Sequence, residues 1–232
     1  RQEKDRLYRV NEQAQAYYEK MLWADPRALE YVQKARGLSD ETVRAWHLGF
    51  APQAWSAMSD ALMARGVSED LLVRVGLSAR RREQSGVYDK LRGRVVFPIA
   101  IPGEYVAGFG ARRADWLITD EADKGPKYLN SPESPIYEKS SIFFGLAQGK
   151  DAIRKSKQAV LVEGYLDVIA LHQAGIQTAS ATCGTALSGR HSAMLVRLCE
   201  EVVTLYDGDT AGQDATRRAA EILLATGVSV RV

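Results

Sequence analysis

The chain has 232 residues, 46% of them hydrophobic and 26% charged, with 31 Lys and Arg against 29 Asp and Glu. That balance excludes a disordered or fibrous chain and supplies apolar residues for one or two cored domains. A formal net charge of +2 leaves any nucleic-acid contact to a local patch rather than to overall basicity. No apolar run reaches membrane-spanning length, and no secretory signal pattern opens the chain. Two cysteines, Cys183 and Cys199, are too few for a disulfide framework and lack metal-ligand spacing. Both are expected as small buried side chains in a reducing cytoplasm. The chain opens on Arg1, so it reads as a piece of a longer protein.

From residue 1 to Arg36 the pattern is helical. Leu7, Val10, Ala14, Tyr17, Tyr18, Met21 and Leu22 recur at helical spacing, and Asp25-Pro26 starts a second helix through Leu29, Val32 and Ala35. Gly37 suits the position just past its end. Ser39, Glu41 and Thr42 open a short helix before His47, and two more fit Trp55–Arg65 and Glu69–Val75, closed by Gly66 and Gly76. These elements show no catalytic spacing, and their expected role is scaffold.

From Ser78 the character changes. Arg80, Arg81 and Arg82 read as a solvated basic face, followed by Lys90, Arg92 and Arg94. Val95–Ile101 is a strand whose Pro98 argues for an edge or a bulge, and Tyr105–Phe109 returns after the Pro102-Gly103 turn. Small residues at Gly108, Gly110 and Ala111 beside Arg112 and Arg113 let a ligand approach the backbone. Lys127, Tyr128 and Asn130 lie in loop chemistry rich in Gly and Pro, and offer charge, a stacking face and an amide. That combination suits phosphate-backbone and nucleotide contacts.

A helix over Gly145–Lys155 leads to the segment with the densest chemistry, Ala159 to Gly212. Ala159–Val162 is an apolar run ending at Glu163-Gly164, and Tyr165–Ala174 continues as helix. Gln177–Ser180 reads as a strand, the small-residue turn from Ala181 to Thr185 follows, and Ser188–Cys199 makes the next helix. Val202–Tyr206 is a second β-branched run, ending at Asp207, Gly208 and Asp209 before another helix, and Val228–Val232 begins a strand. The alternation predicts a parallel sheet. Ligands of such sheets sit beyond the carboxyl ends of the strands, so Glu163, Asp207 and Asp209 meet there if their strands are neighbours. Oxygen donors of this kind suit Mg²⁺ or Mn²⁺ rather than zinc. The alternative for Asp207-Gly208-Asp209 is a polar turn with Asp209 as helix N-cap. His191 is expected at the surface or as a cap, and His47 and His172 are expected to lack partners.

The motifs EGYLDVIAL and YDGDTAGQDA resemble the Toprim module of primases and topoisomerases. The upstream segments RGLSDETVRAWHLGFAP, LRGRVVFPI, VAGFGAR and PKYLNSPESPIYEKSSIFFGL are similar to the RNA polymerase core of bacterial DnaG-type primases, in the same order and over nearly the whole chain. The resemblance implies an α/β protein: an α+β basic subdomain over residues 1–148, and a Rossmann-like parallel-sheet Toprim subdomain over residues 149–232. It implies short RNA primers made on single-stranded DNA from NTPs with a divalent metal. By resemblance Glu163 is the catalytic glutamate, Asp207 and Asp209 bind metal, and Asp167 is a further acidic position. Arg36, Arg112, Lys127, Tyr128, Asn130 and Lys139 match template- and nucleotide-handling residues. Glu163 is left as either general base or metal ligand.

Partners implied are the DNA template, NTPs, the primer–template hybrid, nucleotide inhibitors at the NTP ligands, and a replicative helicase through a domain outside these residues. Ala111 stands where the family often has glycine. A second acidic pair, expected after the next strand, falls beyond Val232. Three other readings are weighed. A Toprim nuclease or topoisomerase is disfavoured by PKYLNSPES, and an aspartyl phosphatase by Ala211, where Thr or Val is wanted. A nucleic-acid- or nucleotide-binding fragment without activity of its own is the remaining alternative.

Overall fold

Leu7, Val10, Asn11, Ala14, Tyr18 and Leu22 fall on one stripe of helix α1 (Gln2–Ala24) and are buried, which seats the helix on a sheet. The computed structural model describes residues 2–82, 85–103, 105–118 and 125–232. They form two compact units, Arg1–Ile99 with Tyr105–Tyr137, and Ala100–Glu104 with Glu138–Val232.

In the first unit, α1 is followed by α2 (Pro26–Glu30), a π-helical turn (Tyr31–Ala35), α3 (Asp40–Ala45), α4 (Ala57–Met63) and α5 (Glu69–Arg74). The strands are β1 (Gly49–Ala51), a β2 (Ser78–Arg80) and β3 (Val87–Asp89) hairpin, β4 (Arg94–Ile101), β5 (Tyr105–Arg113) and β6 (Tyr128–Asn130). The main sheet runs β1-β4-β5-β6. Its core face carries Val96, Val106, Phe109 and Ala111 against Leu7, Val10, Ala14 and Tyr18 of α1. Asn11 is fully buried there and donates to the carbonyls of Val106 (2.9 Å) and Ala107 (3.0 Å), tying helix to strand. A second buried polar group, the Asp89 carboxylate, accepts from the backbone N–H groups of Met58 and Ser59 and so caps α4 from a distant strand.

In the second unit the elements are β7 (Phe143–Phe144), α6 (Leu146–Ser156), β8 (Gln158–Val162), α7 (Tyr165–Gln173), β9 (Ala179–Thr182), α8 (Gly189–Leu195), β10 (Glu201–Thr204), α9 (Thr210–Leu224) and β11 (Ser229–Arg231). The strand order is β11-β10-β8-β9-β7. Neighbours are parallel except β7, which pairs antiparallel with β9. Leu161 and Val202 of the sheet pack with Leu146, Ile153, Leu195 and Leu223 of the helices.

Several expectations change. Val95–Ile101 is not an edge: β4 lies between β1 and β5. Pro98 is tolerated because β1 pairs only with Arg94–Val96, so no β1 residue stands opposite it. The sheet of the second unit is not wholly parallel, since Phe143–Phe144 adds an antiparallel edge. Residues 31–35 form a π-helical turn rather than a continued α-helix, with the Arg36 N–H reaching back five residues to the Tyr31 carbonyl at 3.1 Å. The helix from Ser188 is shorter than expected and ends at Leu195. His191 is fully buried, not a surface residue, though it does cap its helix. His47 and His172 have partners, Glu19 at 3.2 Å and the Ala179 carbonyl at 2.9 Å. Both cysteines are buried thiols, as expected, and burial pushes Cys199 up to about 11. Among the described residues no helix is long and apolar enough to cross a membrane.

Candidate acidic edge and basic sheet face

The chain leaves β8 through α7 to β9 on one side, and leaves β10 through α9 to β11 on the other. β8 and β10 are adjacent and parallel, with Leu161 opposite Thr204. Their carboxyl ends therefore flank a topological switch point, where open α/β sheets form a crevice. Glu163 follows β8 directly, and Asp207 and Asp209 follow β10. All three are exposed.

The turn between them is tightly built. Glu163 Oε1 accepts the backbone N–H of Asp207 at 3.0 Å, and Asp209 Oδ1 caps α9 through the N–H of Gly212 at 2.8 Å. The metal and N-cap readings of Asp209 are thus not alternatives, because capping uses one oxygen and leaves the other. Gly212 is buried, and a Cβ there would lie 2.1 Å from the Asp207 carbonyl and 2.9 Å from Glu163 Oε1, so only glycine fits. Asp167 sits in the first turn of α7 with Oδ2 against Gly164.

Among the described residues no three His, Cys, Asp or Glu side chains converge into a ready metal cage. The acids share an edge without closing on one point. That arrangement fits a Mg²⁺-class ion, which takes one or two carboxylates and completes its shell with water and phosphate. Beside Glu163 opens a cavity of about 460 Å³, with Val162, Thr185, Leu187, Tyr206, Arg218 and Ile222 in its wall. Burial, then the Glu163 charge, pushes the Tyr206 phenol up to about 12, so it stays protonated. Neither Gly212 nor Tyr206 was singled out from the sequence, although both lie within YDGDTAG.

The basic residues of the first unit follow from strand alternation. Arg112 pairs across strands with Tyr128, and Gly110 with Asn130, while Ala111 and Leu129 turn to the core. Arg112 is 6% exposed. Its guanidinium lies 5.1 Å from the centre of the Tyr31 ring and donates to the Arg113 carbonyl (3.1 Å) and to Asp115 (3.3 Å). Arg36 lies over the same ring, 5.0 Å from its centre, with Nε donating to the Tyr31 hydroxyl at 2.6 Å. The π-helical turn causes this, since a five-residue turn stacks residue 36 above residue 31. Burial, against the opposing pull of Arg112, raises the Tyr128 phenol.

Lys127 is exposed and its carbonyl accepts from the Arg113 N–H at 2.8 Å. Arg94 donates to the Pro126 carbonyl (2.9 Å) and Arg113 to the Gly125 carbonyl (2.7 Å), so two arginines brace the loop that presents Lys127. Tyr31 and Asp115 carry no signal in the sequence, where residues 26–36 read as α-helical, and Arg94 reads there only as one member of a basic series. Trp55 was also missed. It is 67% exposed, carries the Arg92 guanidinium 4.4 Å from its ring centre, and opens a cleft of about 450 Å³ with Gln53, Lys90 and Arg94 in its wall. Lys139 belongs to the other unit, in a 3₁₀ turn (Lys139–Ser141) just before β7.

A switch-point acidic edge on a parallel sheet, preceded by a unit with a basic and aromatic sheet face, defines an α/β protein of the Toprim class. Residues 160–232 match the family described as Toprim-like, and residues 17–150 match the DNA primase catalytic core, N-terminal domain. The chain belongs to the DNA primase catalytic core family. It is 41% identical over 233 residues to the DNA primase of Myxococcus xanthus, covering 99% of this chain and 37% of that one. It thus spans little more than a third of that primase's length. Among solved structures, the zinc-binding and RNA polymerase domains of the Aquifex aeolicus primase superpose with a TM-score of 0.87 at 33% identity, covering 97% of this chain and 53% of that one. A DnaG primase catalytic domain bound to single-stranded DNA gives 0.84 at 34% identity, covering 98% and 72%.

Proposed function

We propose that this chain is the nucleotidyl-transfer core of a primase that joins nucleoside triphosphates into short RNA on a single-stranded DNA template. The observation that carries the reading is the bond between Glu163 and the turn of Asp207 at the switch point. It locks two acidic strand ends together at the sheet edge where phosphate chemistry is expected. Membership in the primase core family and the DNA bound to one relative support the same reading. The alternatives of nuclease, topoisomerase and phosphatase draw no support from that membership.

A Mg²⁺ or Mn²⁺ ion on Asp207 and Asp209 would act as a Lewis acid toward the triphosphate. Glu163 keeps Oε2 available after Oε1 accepts the Asp207 N–H. That oxygen is suited to take the proton of the attacking 3′-hydroxyl or to serve as a further ligand. On the basic unit, Tyr128 and Trp55 offer base-stacking faces, and Arg36, Lys127 and Arg92 offer charge to phosphates. Arg112, buried between Tyr31 and Tyr128, props these groups rather than meeting solvent itself. Asn130 offers an amide on the same face. Lys139 binds nucleotide phosphate, and Asp167 belongs to the acidic edge. Nucleotide inhibitors would compete for the same lysine and metal ligands. Helicase contact is assigned to a separate domain, and the replication fork in the cytoplasm is where such a core would work.

The test is primer synthesis by the full-length protein on single-stranded DNA with labelled NTPs and Mg²⁺ or Mn²⁺, beside Glu163→Gln. Glutamine keeps an acceptor for the Asp207 N–H, so the turn survives while the charge is lost. RNA from the parent and a loss of about 10³-fold or more in the variant is expected. A parent that binds DNA yet makes no RNA would leave only a binding module. Equal product from both proteins would move the chemistry away from Glu163.

A further inference from the structure

The turn that carries Lys139 is held by the first turn of α8. The Ser188 hydroxyl accepts the N–H of His191 (3.2 Å) and donates its own proton to the Ser140 carbonyl (2.6 Å). His191 Nδ1 accepts the Ser188 backbone N–H (3.1 Å), which leaves the ring proton on Nε2, aimed at the Ile142 carbonyl 3.1 Å away. The ring also packs against Phe143, with centres 4.6 Å apart. Arg190 pairs with Glu138, whose carboxylate also accepts from the Ser141 hydroxyl at 3.0 Å. Three residues of one helical turn thus hold the segment around Lys139, Ser188 and His191 by backbone carbonyls after it and Arg190 by the Glu138 side chain before it.

The grip is more than is needed to start a helix. An N-cap is satisfied by the Ser188–His191 exchange alone, yet both side chains also spend a donor on the segment 140–142. The bond from His191 to the Ile142 carbonyl is buried and that from Ser188 to the Ser140 carbonyl is half-buried, so water competes little for the first and only partly for the second. The Arg190–Glu138 pair is exposed on both sides and contributes little by itself.

We propose that the first turn of α8 is a clamp that fixes where Lys139 presents its ammonium group, with Ser188 and His191 as positioning residues for nucleotide binding. The inference rests on the reading of Lys139 as a nucleotide contact. The clamp also joins that lysine to the Glu163 edge, because the loop ending at Ser188 contributes Thr185 and Leu187 to the cavity beside Glu163.

The test is steady-state primer synthesis by the full-length protein at varied NTP. Loss of the part-buried bond to the Ser140 carbonyl, along with the cap on the His191 N–H, predicts that Ser188→Ala raises the NTP KM about threefold to tenfold with kcat little changed. Ser188→Thr, which keeps the hydroxyl, restores it. In a Lys139→Ala background, Ser188→Ala adds nothing further, because its effect passes through the lysine. If the two effects add, or if kcat falls while KM holds, the clamp is overturned and the lysine reading stands. If Lys139→Ala leaves KM unchanged, the lysine reading itself fails and the clamp loses its purpose. Ser188→Cys, close in size with a weak donor, repeats the measurement if the alanine variant does not fold.

Discussion

Glu163 Oε1 and the backbone N–H of Asp207 are bonded at 3.0 Å although 44 positions separate them in sequence. The contact makes the acidic edge one object rather than two independent turns. It also explains why Gly212 is obligatory: the first turn of α9 passes so close that a methyl group would meet both the Asp207 carbonyl and the Glu163 carboxylate.

Gly212→Ala is therefore expected to push the Asp207 turn away from Glu163. Overpacking of this kind costs about 1–3 kcal/mol, measurable by urea denaturation. Mn²⁺ affinity, followed by electron paramagnetic resonance with NTP present, should fall alongside it. Asp207→Asn should lower Mn²⁺ affinity about tenfold or more with no comparable loss of stability. Unchanged Mn²⁺ affinity in Asp207→Asn would remove the metal from this edge.

Trp55 presents a largely exposed indole beside Arg92 and Lys90. Stacking of a base on it predicts that Trp55→Ala weakens single-stranded DNA binding by about 1–3 kcal/mol without changing its salt dependence. Lys127→Ala should instead reduce the salt slope by about 0.7, as expected for one phosphate contact on a single strand. Fluorescence anisotropy at several salt concentrations separates the two effects. The same slope change in both variants would contradict the assignment.

Arg112 tests the difference between charge and shape. Arg112→Lys keeps the charge but loses the planar fork that reaches the Arg113 carbonyl, Asp115 and the Tyr31 ring together. A loss of about 1–3 kcal/mol of stability is expected, with weaker DNA binding because Tyr31 and Tyr128 lose their shared support. Thermal melting indistinguishable from the parent would make Arg112 an ordinary surface cation.

Burial holds both His172 and His191 below the ordinary histidine value of 6.5, partly offset by their bonds to backbone carbonyls. The folded unit keeps them neutral while the unfolded chain takes up protons, so stability is full above 6.5 and declines as pH falls toward the depressed folded values. His191 faces Ser188 and the backbone of Ile142 and Lys139. Melting temperature should drop between about pH 8 and about pH 5. His172→Gln, which can still donate to the Ala179 carbonyl, should flatten that slope, and an unaltered slope would acquit this histidine. Asp89 acts with the opposite sign in a lower window. Burial raises its carboxyl above 3.8, so its contribution favours the fold as pH falls through that range.

Much of this was legible locally. Ala159–Val162 and Val202–Tyr206 announce strands because β-branched and apolar runs stop at acidic turns, and the helices around them follow from periodicity. Single contacts across the chain were not legible. Nothing near Phe143–Phe144 tells two phenylalanines that β9 offers them an antiparallel edge. Nor does the period of residues 26–36 reveal a π-helical turn, since one added residue per turn shifts Arg36 onto Tyr31 without altering composition. His191 reads as a polar cap until the burial of its ring against Phe143 is known.

The sequence by itself determined which chemistry the protein carries: acids directly after two strands, Arg112 and Arg113 at the end of one strand and Lys127, Tyr128 and Asn130 close behind, and motifs specific enough to identify a primase core. Only the tertiary structure decided that β8 and β10 are neighbours, with β9 on the far side of β8, and so that Glu163 meets Asp207. Strand order depends on which apolar faces pack together across long stretches of chain, and local periodicity holds no record of that choice. The same long-range packing buries Arg112, leaves Trp55 in the open, and sets Ser188 and His191 against the turn of Lys139.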